Sequence, residues 1–257
     1  MAMGAILLVA RADDLGSTRS ANRAINETLE AGVVRNVSVL VPGPFVGEAA
    51  ALLAGRSDIC FGLHTAVNSE WDSLRWPPVL PASEAPSLVD DRGMLCRTTQ
   101  EMHDRGVDPE EVFREMDAQL DRAHGLGFGI VYADTHMGWT WIAEGLADRF
   151  DTWCRRHGLV NGDRVAGLAP LRFAAKADRP ADRLVSALRG IGPGAHLVVG
   201  HPSYDDTETR GLGHAGYPGS QVAAERNADR LMFADSGLAE FCRDRGIAPA
   251  RYDETAG

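Results

Sequence analysis

Short, uninterrupted apolar runs alternate along this chain with stripes of helical spacing. Residues 6–10, Ile-Leu-Leu-Val-Ala, are apolar throughout, as in a strand buried on both faces. Apolar or small residues then recur at Ala21, Ala24, Ile25, Thr28, Leu29 and Gly32, one face of a helix. Ser17, Thr18 or Ser20 can cap its start, and Gly32 suits its end. Residues 33–41 are rich in valine and predict a second strand. Residues 45–53 carry a helical stripe closed by Gly55, and 59–63 predict a third strand. After a long aperiodic stretch, Asp108-Pro109-Glu110-Glu111 starts a helix with a capping side chain, a proline at the first helical position and acids in the first turn. Val112, Phe113, Met116, Leu120 and Ala123 form its apolar stripe. A strand over 130–133 and a helix over 143–157 follow, then weaker strands over 165–168 and 171–173. A helix over 181–188, a strand over 196–199 and helices over 222–233 and 236–245 end the pattern.

Such alternation implies a mainly parallel sheet, open or closed into a barrel. Six or seven strands in 257 residues is near barrel size. A dinucleotide-binding fold would need GxGxxG after the first strand, and a P-loop would need GxxxxGK[ST]; the sequence has neither. No repeat, linker or low-complexity tract divides the chain, so residues 1–257 read as one domain. With 44% hydrophobic and 24% charged residues the composition is that of a globular protein, not a disordered or fibrous one. The net charge of −10 argues against nucleic acid or an anionic membrane as partner, because both select basic patches. There is no run of 18 apolar residues to span a membrane, and the first ten residues lack the basic flank of a signal peptide. Cys60, Cys96, Cys154 and Cys242 are widely spaced with no CxxC, which predicts reduced structural thiols in a cytoplasmic protein, Cys60 in the core. The oligomeric state, including a homo-oligomer, stays open.

The polar residues sharpen the picture. Asp13 and Asp14 follow the first predicted strand, His64 the third, Asp134 and His136 the strand over 130–133, and His201 the strand over 196–199. The carboxyl ends of parallel strands share one edge of a sheet or one face of a barrel, so segments remote in sequence meet there. One carboxylate and two imidazoles make a three-ligand set for a divalent cation with positions left for water and substrate. A second carboxylate beside it can act as base and a further histidine as acid. Which of Asp13 and Asp14 takes which role is open from the pattern alone. His103, His124, His157 and His214 fall in predicted helix or loop and read as solvated, while His196 starts its strand and belongs to the opposite face.

Residues 65–106 hold Pro77, Pro78, Pro81 and Pro86 with Trp71 and Trp76 and little periodicity. They leave the third strand directly after His64, far longer than a strand-to-helix connection needs, and predict a lid over the site that contributes substrate contacts. Trp71, Trp76, Trp139 and Trp141 offer flat faces for a sugar ring, with Asp134 as a further substrate-side residue.

An ordered set of motifs resembles the YdjC-like carbohydrate deacetylases, which include the chitooligosaccharide deacetylases. These are Ala12-Asp13-Asp14-Leu15-Gly16 with Asn22, then Gly32-Val33 through Ser38, and then Gly62-Leu63-His64. Ser87-Leu88-Val89-Asp90 with Gly93, Glu115 with Gln119, and Asp134-Thr135-His136 follow. His201-Pro202-Ser203-Tyr204-Asp205 with Arg226 completes the set. The resemblance covers nearly the whole chain and implies a single-domain NodB-like distorted (β/α) barrel that removes acetyl groups from N-acetylated sugars. It implies Asp14, His64 and His136 as ligands of one divalent metal ion, Asp13 as base and His201 as acid. Zinc is the first choice of metal, with magnesium or nickel as alternatives; two imidazoles favour a transition metal. The family often places a second histidine two residues after His136, where this chain has Gly138. A metal-dependent phosphoesterase on the same barrel, or a carbohydrate-binding or regulatory protein without activity, are the competing readings.

Overall fold

The computed structural model describes residues 5–173 and 178–255. Residues 1–4, part of the stretch read above as strand rather than leader, lie outside the described residues, as do 174–177 and 256–257. The strands are β1 (Ile6–Leu15), β2 (Asn36–Val39), β3 (Cys60–Thr65), β4 (Ile130–Thr135), β5 (Val160–Asn161), β6 (Leu168–Pro170), β7 (Gly194–Gly200) and β8 (Ile247–Pro249). The helices are α1 (Arg19–Glu30), α2 (Val46–Leu53), α3 (Thr99–Arg105), α4 (Pro109–Gly125), α5 (Leu146–Arg156), α6 (Pro180–Arg189), α7 (Thr207–Arg210), α8 (Gly219–Phe233) and α9 (Ser236–Asp244).

The strands lie in the order β5-β4-β3-β2-β1-β7-β6, and every pairing is parallel. Among the described residues β5 and β6 end the sheet, so the expected barrel is a half-barrel. β1 runs through its centre with β7 along one edge. Its other edge is shared: β8 pairs with Ile6–Leu8, and β2 takes over from Arg11. Asn36 secures this junction. Its Nδ2 donates to the carbonyls of Ala10 (3.1 Å) and Ala250 (2.9 Å), and its Oδ1 accepts from the amide of Tyr252 (2.9 Å). Because all strands run the same way, their carboxyl ends line one rim, the edge where open α/β sheets place their ligands.

The predicted stripes are the buried faces. α1 buries Ala21, Ala24, Ile25, Thr28 and Leu29, and Thr18 caps it by accepting from the amide of Ala21 at 2.9 Å. Asp108 caps α4 through the amide of Glu110 (2.8 Å), with Pro109 at the first helical position. Periodicity missed β5, β8, α3 and α7, which are seven residues or fewer and too short to set a period. The strand predicted over 165–168 begins only at Leu168, and 171–173 is not a strand. β1 and β4 outrun their apolar stretches because the polar residues at their ends are buried in pairs with one another. The four cysteines are buried free thiols, Cys60 among them. No helix among the described residues is long and apolar enough to cross a membrane.

Candidate active site

Asp13 and Asp14 lie within β1, not beyond it. Successive residues of a regular strand face opposite sides, so both carboxylates could not enter one site from an ideal strand. Asp14 adopts φ 71, and the pairing of β1 with β2 shifts register between Ala12 and Leu15. That irregularity turns Asp14 to the side already faced by Arg11 and Asp13. The one other described non-glycine residue with positive φ is Met137 (φ 57), directly after His136. Both strained positions therefore adjoin the site, where such strain tends to be retained.

The structure brings Asp14, His64 and His136 together. Asp14 Oδ1 is 3.5 Å from His64 Nε2 and 3.7 Å from His136 Nδ1, and those two nitrogens are 3.1 Å apart. All three side chains are buried, and Asp14 Oδ1 has no hydrogen-bond partner. Two ligand bonds of about 2.0–2.2 Å separate their donor atoms by about 3.0–3.5 Å, so the triangle fits a cation. The outer atoms are already held. His64 Nδ1 donates to Asp134 Oδ2 (2.6 Å) and His136 Nε2 donates to Glu70 Oε2 (2.9 Å). Each carboxylate orients its imidazole so that the inner nitrogen, once a cation displaces its proton, turns its lone pair inward. Arg226 donates to Asp14 Oδ2 at 2.6 Å and leaves Oδ1 facing the imidazoles.

The electrostatics agree. Burial opposes a charge on His64, but Asp134, Asp13 and Asp14 outweigh it and push the imidazole up to about 9. Burial would raise the Asp14 carboxyl, yet the Arg226 guanidinium and the neighbouring imidazoles hold it well below the usual carboxylate range. The pocket thus stabilises a positive charge against an ionised Asp14. A second grouping of donors, Asp13, His64 and Asp134, is already served by a cation of the chain itself. Arg11 Nε and Nη2 donate to the two oxygens of Asp13 at 2.7 and 2.8 Å, and Nη2 lies 3.3 Å from Asp134 Oδ2.

His201 stands on the rim after β7. Its side chain is 44% exposed, so it can meet a ligand. Its amide donates to Asp229 Oδ2 (2.9 Å) from α8, and its Nδ1 lies 4.0 Å from the same oxygen. Burial pushes the Asp229 carboxyl up, against the opposing pull of His201 and Arg226. These groups line a cleft of about 540 Å³ whose far wall holds Glu70, Trp71, Met137, His214 and Tyr217.

Of the four tryptophans expected to face a sugar, Trp71 alone lines this cleft. Trp76 is fully buried, its Nε1 donating to the carbonyl of Asn68 (3.0 Å) and its ring edge-on to His136. Trp139 is core, packed on Phe113 and Phe150 with its Nε1 on the carbonyl of Thr65 (3.0 Å). Trp141 is half exposed but packs beside His103, away from the cleft. Asp134, assigned above to the substrate side, is fully buried behind His64. His214, read as solvated, is exposed but stacks on Trp71 at the cleft wall. The pattern also missed Arg11, Glu70 and Asp229, and Arg226 stood in the motif set without a role. Arg11 was detectable in principle, since i and i+2 of a strand share a face. Glu70 sits in the aperiodic segment and left no signal.

Loss of an outer carboxylate is expected to loosen the cation without removing it. Glu70→Gln and Asp134→Asn should each weaken metal affinity by about 10–100-fold, the usual cost of changing a group that orients a ligand. Competition with a chelator dye measures it; unchanged affinity in both would deny them that role.

The model of the YdjC-like protein family matches residues 7–244. A carbohydrate deacetylase of Thermoanaerobacter pseudethanolicus is 24% identical over 258 residues, covering 95% of this chain and 97% of its own. One from Geobacillus stearothermophilus is 24% identical over 254 residues, 96% of each chain. Among solved structures, a proposed cellobiose-phosphate cleavage protein of Enterococcus faecalis superposes with a TM-score of 0.78, over 99% of this chain and all of that one, at 22% identity. The catalytic domain of a peptidoglycan N-acetylglucosamine deacetylase from Eubacterium rectale superposes with a TM-score of 0.52, over 97% and 90%, at 9% identity. These likenesses show the NodB-like fold anticipated from the motifs. Since the family model spans nearly the whole chain, the protein belongs to the YdjC-like family, a family of carbohydrate deacetylases.

Proposed function

We propose that this protein is a metal-dependent hydrolase that removes the acetyl group from an N-acetylated sugar or sugar conjugate. One observation carries the reading: a buried, unpartnered carboxylate oxygen of Asp14 faces two imidazole nitrogens whose other nitrogens are tied to carboxylates. Asp14, His64 and His136 would hold the cation, and one oxygen with two nitrogens suits zinc or nickel better than magnesium. Such a cation supplies Lewis acidity toward a carbonyl and acidifies water. Asp13, oriented by the two bonds from Arg11, takes the proton of the attacking water. His201, exposed on the rim, protonates the departing amine. Residues 65–106 act as a lid that brings Glu70 and Trp71 to the cleft. It is clasped to the loop after α7 by the amide of Asp72 on the carbonyl of Gly213 (2.9 Å) and by Ser73 on Gly211.

Both guanidinium groups on the cleft are occupied by carboxylates, Arg11 by Asp13 and Arg226 by Asp14. The reading therefore favours an uncharged N-acetyl sugar over its phosphate ester. Acetate release from N-acetylglucosamine, its β-1,4 oligomers and N-acetylglucosamine 6-phosphate, measured alongside metal content, tests it. Acetate release that a chelator abolishes and metal restores is expected, fastest on an uncharged sugar. Metal-free protein with full activity, or phosphate release without acetate, would overturn the assignment.

A further inference from the structure

We propose that Tyr252, in the turn after β8, is a positioning residue for Asp13 and acts through Arg11. The inference rests on the reading of Asp13 as the base. Arg11 is buried, and each arm of its guanidinium has a partner. Nε and Nη2 hold the two oxygens of Asp13, and Nη1 donates to the Tyr252 hydroxyl at 3.0 Å. A bidentate pair fixes its plane only if the third corner is also held, since the long arginine stem otherwise swings about its own torsions. Tyr252 supplies that corner from 241 residues away in sequence.

Tyr252 is itself held from two sides. It is fully buried, its ring lies 4.2 Å from that of Tyr132 in β4, and its amide donates to Asn36 Oδ1 at 2.9 Å. Asn36 is the residue that locks β8 and β2 onto the same edge of β1, and Ala250, two residues before Tyr252, donates its amide to the carbonyl of Leu8 (2.9 Å). The segment 250–254 thus fills the gap where β1 passes from β8 to β2, beneath the carboxylates. The matched family region ends at residue 244, before this segment. The turn after β8 lies behind Arg11, and its phenol sets where the base points.

Tyr252→Phe keeps the ring on Tyr132 and removes only the acceptor of Arg11 Nη1. Two measurements are made on it in the metal-loaded protein. Nitrogen-15 NMR of the arginine Nε–H groups, with Arg11→Lys to assign the Arg11 signal, reads the guanidinium directly. Solvent exchange of that proton should speed up by about tenfold or more as the fork loosens. In the acetate-release assay kcat should fall about tenfold, the scale set by slight misplacement of a catalytic group, with KM within twofold, metal content unchanged and the thermal midpoint nearly so. A kcat within twofold of the parent overturns the proposal, as does a loss that tracks a lowered midpoint or lost metal. Should the parent protein release no acetate from any sugar, the reading of Asp13 as base fails separately. The exchange rate of Arg11 then decides alone whether Tyr252 holds it, and an unchanged rate overturns the proposal.

Discussion

His136→Ala is expected to lose the bound cation and the activity together, whereas Asp13→Asn keeps the cation and loses turnover. The two residues stand in the same cleft, yet their surroundings set different roles. Among the described residues His136 Nδ1 is one of three inward-facing donors, and a site with two protein ligands no longer holds a cation against solvent. Asp13 offers its oxygens to Arg11 and is not needed to complete that triangle. Asparagine is nearly isosteric and keeps one acceptor for Arg11 but cannot take a proton, so kcat should fall by about 10²–10⁴-fold. Arg11 would retain Asp134 as a charge partner, which limits the destabilisation that breaking a buried pair otherwise brings. Metal content, kcat and the thermal midpoint measured together separate the cases. Loss of metal from Asp13→Asn would reverse the roles of the two aspartates.

Trp76→Ala should lower the thermal midpoint sharply, while Trp71→Ala should act on KM or kcat/KM. Trp76 is 1% exposed, its amide and indole nitrogen are bonded to Ser69 and Asn68, and its ring backs His136. Truncating so large a buried side chain costs about 3–5 kcal/mol. In a chain of this size that corresponds to a fall of about 6–20 °C in the midpoint. Trp71 lines the cleft beneath Arg226 and beside His214 and Tyr217, with 5% of its surface exposed. Its loss should reduce kcat/KM beyond what its own fall in midpoint explains, since Trp71 is buried too but borders the cleft. If Trp71→Ala leaves kinetics unchanged, the lid contributes no substrate contact through this residue.

Much of the architecture was legible because it is written in local periodicity. Buried parallel strands need apolar runs, and amphipathic helices need a stripe, so β1, β3, β4, β7 and the larger helices stand out. The sites of Asp13, Asp14, His64, His136 and His201 were legible for a topological reason: parallel strands bring their carboxyl ends to one rim whatever lies between them. Short elements left no such mark. β8 spans three residues and is recognisable only because β1 lends it an edge.

By itself, then, the sequence determined the class of fold, the rim that carries the chemistry and the residue types gathered there. The tertiary structure decided how those side chains are used. It turned adjacent aspartates to one side through a single left-handed residue, sent Trp139 and Trp76 into the core, and brought Glu70, Arg226 and Asp229 against His136, Asp14 and His201, and Tyr252 against Arg11. The physical reason is the range of the interactions. Periodicity reports how each segment divides itself between water and interior. A hydrogen bond between Tyr252 and Arg11, 241 positions apart, depends on where the completed sheet leaves a gap, and no local pattern encodes that.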